Sequence, residues 1–281
     1  MISRSATRSS CDGLISIFSC YDPSYPINPP SFLINLATRW YQSFPLSSFQ
    51  HLVIERFKKR DFAIPCPKLG LGRDKLKGTF KPVWLYNSSE FGLDNVTTCE
   101  VFDFSTNAWR YVLPASPYRI ISFHKPVYLD GSLYWFTECE ETKVLSFHLH
   151  TETFQVVSKT PFARVLGSQD VSMCILDDRL CVSEKNGSNQ VIWSFDGNNK
   201  TWEILCSIDL TKTYAWLKDR GCALWPIALL DKTKLLLHGR LYTEPLIIHD
   251  LHTKSYDLSF KPTISGNFVN YCQSLFSALP N

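Results

Sequence analysis

No uninterrupted apolar run of about 18 residues occurs in this chain, so it offers no membrane-spanning helix. Mean hydropathy is -0.09. It also lacks a charge excess. Lys plus Arg number 29 against 26 Asp plus Glu, a net +3, too balanced to point to nucleic acid or an anionic membrane as partner. No C-x-x-C pair and no zinc-finger spacing occurs among the ten cysteines, which removes the common structural zinc sites. No G-x-S-x-G elbow, H-E-x-x-H, P-loop or G-x-G-x-x-G is present. The expectation is therefore no enzyme and no cofactor.

No secretory signal is expected either, since the apolar run Leu14 to Phe18 is too short. The cysteines then read as reduced and packed as small apolar groups, and the chain as cytoplasmic or nuclear. The rival is a disulfide-linked secreted protein. Four sequons (Asn87, Asn95, Asn186, Asn199) would suit it, although such triplets arise by chance.

What is present is a globular composition, 44% apolar and 20% charged over 281 residues. Strand-like runs such as Gly13-Leu-Ile-Ser-Ile-Phe18, Pro82-Val-Trp-Leu-Tyr86 and Lys234-Leu-Leu-Leu-His238 end in Gly, Asn, Asp, Ser or Pro. That punctuation marks an all-β chain. Helical periodicity is confined to Gln50–Lys59 and Lys212–Lys218.

One segment recurs five times: Leu33 to Trp40, Val101 to Trp109, Ser146 to Phe154, Ile192 to Trp202 and Ile247 to Tyr256. Each reads as an apolar strand, a small polar residue (Asn35, Asp103, His148, Ser194, Asp250), a polar turn, and an aromatic opening the next strand. The fourth copy is read with a longer turn around Asp196-Gly197. The physical unit is a β-hairpin whose returning aromatic packs back on it. Earlier marks at Asp12-Gly13, Asp130-Gly131, Asp178-Arg179 and Lys232-Thr233 each introduce a further strand. Four strands at this spacing are the signature of β-propeller blades, with a β-sandwich pair as the rival reading of the same short strands. Five blades are marked and the length predicts about six, with few or no helices. Phe268 to Phe276 is the expected closing strand, and Glu55 to Arg60 a basic insertion in a surface loop.

These residues resemble the F-box-associated, kelch-like β-propeller domain of plant F-box proteins. Ser10-Cys-Asp-Gly-Leu14 is similar to that family's opening strand. Asn35-Leu-Ala-Thr-Arg-Trp40 is similar to its Asn-Pro-x-Thr-Arg-x-Trp turn, with Leu36 for Pro and one residue fewer before the Trp. Leu69-Gly-Leu-Gly-Arg-Asp74 and Asp130-Gly-Ser-Leu-Tyr-Trp135 complete the likeness. The resemblance implies a tail over 1–9, a propeller domain over 10–281, and the substrate-recognition part of a Skp–cullin–F-box ubiquitin ligase. It departs from the family in placing only nine residues before Ser10. The expectation is a monomer without its own F-box, bound to a target protein, meeting a Skp-family adaptor only where a longer form supplies one. A carbohydrate-binding or carbohydrate-processing propeller is the alternative.

Candidate site residues are few. His148 and His150 alternate like metal ligands, but His148 stands at the polar turn position, where hydrogen bonding explains it better. Trp216 lies outside the repeat and is expected to be an exposed partner anchor. Arg56, Lys58, Lys59 and Arg60 form a basic run that could meet an acidic partner.

Overall fold

The computed structural model describes residues 6–19, 31–59, 61, 67–162, 170–218, 221–239 and 244–262. Twenty strands form five four-stranded antiparallel sheets, each a meander in chain order. The first holds β1 (Ala6–Cys11), β2 (Leu14–Ser19), β3 (Ser31–Asn35) and β4 (Trp40–Phe44). The second holds β5 (Gly70–Arg73), β6 (Phe80–Asn87), β7 (Thr97–Asp103) and β8 (Ala108–Tyr111). The third holds β9 (Val127–Leu129), β10 (Ser132–Phe136), β11 (Lys143–His148) and β12 (Thr153–Lys159). The fourth holds β13 (Val171–Leu176), β14 (Arg179–Asn186), β15 (Asn189–Asp196) and β16 (Thr201–Asp209). The fifth holds β17 (Trp225–Leu230), β18 (Lys234–His238), β19 (Leu246–Asp250) and β20 (Tyr256–Phe260).

These sheets are the blades of an all-β propeller, five among the described residues rather than about six. Dividing length by blade size overcounted because the connections are long. Residues 45–69 follow β4, 112–126 follow β8 and 210–224 follow β16. The expected closing strand Phe268 to Phe276 lies outside the described residues. Two compact units divide the chain. One contains the first two blades and most of the third; the other contains the fourth and fifth.

The turns explain the repeat. Two adjacent residues with positive φ join the first and second strands at Asp12-Gly13, Asp130-Gly131, Asp177-Asp178 and Asp231-Lys232. Such pairs match the strand twist and tolerate Asp and Gly best. The last two pairs sit one residue earlier than the sequence suggested. Third and fourth strands are joined by four-residue turns ending in a left-handed residue at Arg39, Asn107, Glu152 and Lys200; in the fifth blade Lys254 is left-handed and Ser255 follows it before β20. Each turn is fastened by the last side chain of the third strand. The Asn35, Asp103 and Asp250 oxygens accept from Ala37, Ser105 and His252 N–H at 2.9, 2.8 and 2.9 Å. His148 Nδ1 accepts from Thr151 N–H at 3.2 Å.

Register corrects two copies. In the fourth blade the fastening residue is Asp196, not Ser194. Its Oδ1 accepts from Asn198 N–H at 2.9 Å, and the turn 197–200 is no longer than the others because β15 runs through to Asp196. In the first blade Asn35 pairs directly with Trp40, whereas Asp103 pairs with Ala108. Tyr41, not Trp40, therefore holds the place of Trp109. A one-residue slip turns a strand's side chains over: Trp40 packs on the first core cluster and Tyr41 is exposed.

The aromatic also reaches beyond its own hairpin. Trp109 packs on Phe102 with ring centroids 5.3 Å apart, and its Nε1–H donates to Pro45 O, just past β4, at 2.8 Å. Trp202 packs on Phe195 at 5.0 Å, and its Nε1–H donates to Lys159 O, the end of β12, at 2.7 Å. Tyr256 stacks on His249 at 4.3 Å, and its hydroxyl accepts from Asp209 N–H, the end of β16, at 2.9 Å. Each ties its blade to the outer strand of the blade before it.

Helix content is small. The helix expected at Gln50–Lys59 is α1 (Ser48–Lys58), opened by a Ser47/Gln50 capping box. Of the basic residues expected in a loop, Arg56 and Lys58 lie in its last turn. Lys212–Lys218 is not a helix: only a 3₁₀ turn forms at Leu210–Thr213, begun by Asp209 capping Thr211 N–H. In α1, Phe49 packs on Trp84, Tyr86 and Phe91 at 4.6, 5.0 and 5.4 Å. The carboxylate of Glu100, 1% exposed, accepts from Ser48 N–H, Phe49 N–H and Tyr86 Oη–H at 2.9, 2.8 and 2.9 Å. A buried anion against a helix N-terminus is favourable when its hydrogen bonds are complete.

Candidate functional site

A meander places its first and third turns at one end and its second turn and exit connection at the other. The first end carries the short repeated turns. In the unit of the first three blades, charges there are mutually paired. Asp74 is buried and accepts from Leu76 and Lys77 N–H at 3.0 and 3.1 Å, with His150 Nδ1 at 3.2 Å and Lys81 Nζ at 3.7 Å. Burial pushes its carboxyl up, but the Lys77 N–H, the His150 ring, the Leu76 N–H and Lys81 together hold it below the usual carboxylate range. Lys81 also reaches Glu152 at 2.8 Å, and Arg110 makes a two-pronged pair with the same carboxylate. Burial opposes ionisation of Glu152; Arg110 and then Lys81 overcome it and lower its pKa.

The other end carries the long connections, where binding residues concentrate on a rigid scaffold. Residues 88–96 follow β6, beginning with a 3₁₀ turn at Ser88–Phe91, and 112–126 follow β8. The second segment is pinned to the first. Asn87 takes Ile120 N–H on its Oδ1 at 2.8 Å and donates to Ile120 O at 2.9 Å. Arg119 pairs with Glu90 at 3.1 Å and Glu138 at 2.8 Å. Thr97 Oγ1–H donates to Ser116 O at 2.5 Å. Between residues 95–97 and 113–117 lies an open groove of about 520 Å³. Its apolar rim stands out in solvent: Leu113 is 79% exposed and Val96 46%.

The residues singled out from sequence are dispersed. Trp216 is half-buried rather than exposed as expected. It packs on the apolar cluster that includes Leu210, Leu217 and Leu224, and its N–H donates to Thr213 O at 3.0 Å. Arg56 stacks over Phe91 at 5.2 Å and pairs with Asp61 at 3.6 Å. Lys58 pairs with Glu55 at 2.7 Å. Lys59 is exposed at the helix C-cap, and Arg60 lies outside the described residues. His148 and His150 turn to different partners, Thr151 and Asp74. Among the described residues no group of three or more His, Cys, Asp or Glu could hold a metal ion. The groove went unread in the sequence, where Asn95-Val-Thr97 stood only as a chance sequon.

The chain matches the model of the F-box associated beta propeller domain over residues 9–277. It is 54% identical over 97% of its length to an F-box/LRR-repeat/kelch-repeat protein of Arabidopsis thaliana, spanning 71% of that protein. Two F-box proteins of Arabidopsis thaliana are 47% and 48% identical over 97% and 96% of the chain, which spans 74% and 61% of them. With that match running from within β1 to beyond β20, the chain belongs to the F-box associated β-propeller domain family.

Proposed function

We propose that this propeller is the target-holding part of a Skp–cullin–F-box ubiquitin-ligase receptor, a binding module and not an enzyme. The family match across residues 9–277, with F-box proteins as relatives, carries the reading. A propeller recognises its partner by shape and side chains on its long connections, and needs no cofactor for that. The link to the Skp-family adaptor is made by an F-box, a helical module distinct from the blades. The compartment is cytoplasmic or nuclear, in keeping with the seven described cysteines being free thiols. Trp216 and the basic run Arg56, Lys58, Lys59 and Arg60 stay within this proposal as secondary contacts.

The test joins the chain to an F-box and reconstitutes it with adaptor, cullin and ubiquitin-charged enzyme. A plant protein that co-purifies with the chain alone should be ubiquitylated only when the F-box is attached. Tight stoichiometric binding of adaptor by the chain alone would contradict the division of labour. Ubiquitylation that persists when a different propeller replaces this one would contradict target holding.

A further inference from the structure

We propose that the groove between residues 95–97 and 113–117 docks an extended segment of a partner protein, one bearing an apolar side chain beside a Lys or Arg. The proposal rests on the target-holding reading and names the chemistry of the segment held.

Three observations converge. The groove is built in advance. Thr97 ties its floor to Ser116, Ser116 Oγ holds the Tyr118 N–H at 3.0 Å, and Val112 N–H donates to Cys99 O at 3.0 Å. Ala115 leans on the core cluster containing Val112 and Ile120. Walls already ordered cost little further entropy when a partner binds.

The apolar surface also extends outside the groove. Leu113 and Val96 line it and stand out in solvent, and Leu93, 38% exposed, lies two residues before its wall in the chain. A small molecule sunk in the groove leaves that rim wet, whereas a polypeptide lying across it covers both.

Charge then selects the segment. Glu90, at the start of the same connection, is already engaged by Arg119 and Ser122. Asp94, next to the groove wall, is exposed and has no hydrogen-bond or ion-pair partner among the described residues. A lone carboxylate beside an apolar rim favours a cation flanking an apolar anchor and repels an acidic segment.

The experiment pans a phage-displayed library of short random peptides on the full chain, with the Leu113→Glu chain as counter-selection. Selected peptides are then titrated by fluorescence anisotropy against the wild type, Leu113→Glu and Asp94→Lys. Both positions are exposed, so melting curves are expected to overlay. The milder Leu113→Ser replaces Leu113→Glu if the latter melts differently. The expected result is enrichment of an apolar residue next to Lys or Arg. Affinity should fall at least about tenfold with Leu113→Glu. Asp94→Lys should weaken the basic peptide and favour its Glu-substituted twin. Acidic or charge-free consensus peptides, no enrichment over the counter-selection, or binding indifferent to both substitutions would overturn the proposal. If Leu113→Glu still supports target ubiquitylation at the wild-type rate, the groove is overturned and the target-holding reading stands. If no protein is held or ubiquitylated by the wild type, that reading fails first.

Discussion

The two ends of a blade are made on different principles. At the end bearing the first and third turns, one geometry is repeated: in four of the five blades two left-handed residues close the inner hairpin, and in all five a left-handed residue lies just ahead of the outer strand. At the other end each connection is individual: a capped helix after β4, a pinned segment after β8, a 3₁₀ turn after β16. Repetition therefore comes from backbone requirements that few residue types meet. Individuality comes from side chains with specific partners. The first end can be shared by most of the blades, and the second is free to differ from blade to blade.

Breaking an individual connection should cost most. Glu100→Ala removes the acceptor of two helix N–H groups and of the Tyr86 hydroxyl, leaving buried donors unpaired. A loss of about 3–4 kcal/mol is expected in urea unfolding. Glu100→Gln, which keeps one acceptor oxygen, should lose less. An unchanged midpoint in Glu100→Ala would mean that α1 does not depend on this cap.

Acid should act on the same end through His238, the last residue of β18. Burial pulls its imidazole down to about 4 from 6.5. The unfolded chain therefore takes up the proton first as pH falls. Stability from this group is complete above about pH 6.5 and declines between there and pH 4, by about 3 kcal/mol. Comparing the pH dependence of unfolding in wild type and His238→Gln checks it: the variant should lack that slope.

Repeated features should cost less apiece. Trp202→Phe keeps a ring on Phe195 and deletes the indole donor that Lys159 O and Ser158 Oγ share. About 1 kcal/mol is expected, and Trp109→Phe should match it, since Trp109 uses its indole the same way. Unequal losses would show that the two latches are not equivalent. At the bottom of the scale, Lys58→Ala removes an exposed pair with Glu55 and should leave the melting curve unmoved, because such pairs contribute little.

Sequence disclosed the repeated end well. The polar residue, the turn and the aromatic are spaced by local backbone geometry, and His148 shows that the rule extends to an imidazole nitrogen. It misled where local spacing was ambiguous. Ser194 and Asp196 both end a plausible strand, and only the β15–β16 pairing selects Asp196. Trp40 looked like Trp109 because both are tryptophans, although pairing gives that place to Tyr41. The individual end was nearly illegible. Glu100 reaches a helix 51 residues earlier in the chain, and Trp216 could not be assigned to core or surface without the packed cluster around it. Exposure of Val96 and Leu113 is a property of two distant segments meeting, which no local pattern encodes.

The Tyr256 latch has an experimental use. Asp209 ends an outer strand, where a backbone amide would ordinarily exchange its proton with water quickly, yet this amide is held by a phenol from the next blade. Its deuterium uptake thus acts as a clock set by the docking of the fifth blade, slow while β20 is seated and fast once it lifts away. One amide, followed in time, distinguishes detachment of that blade from unfolding of the fourth.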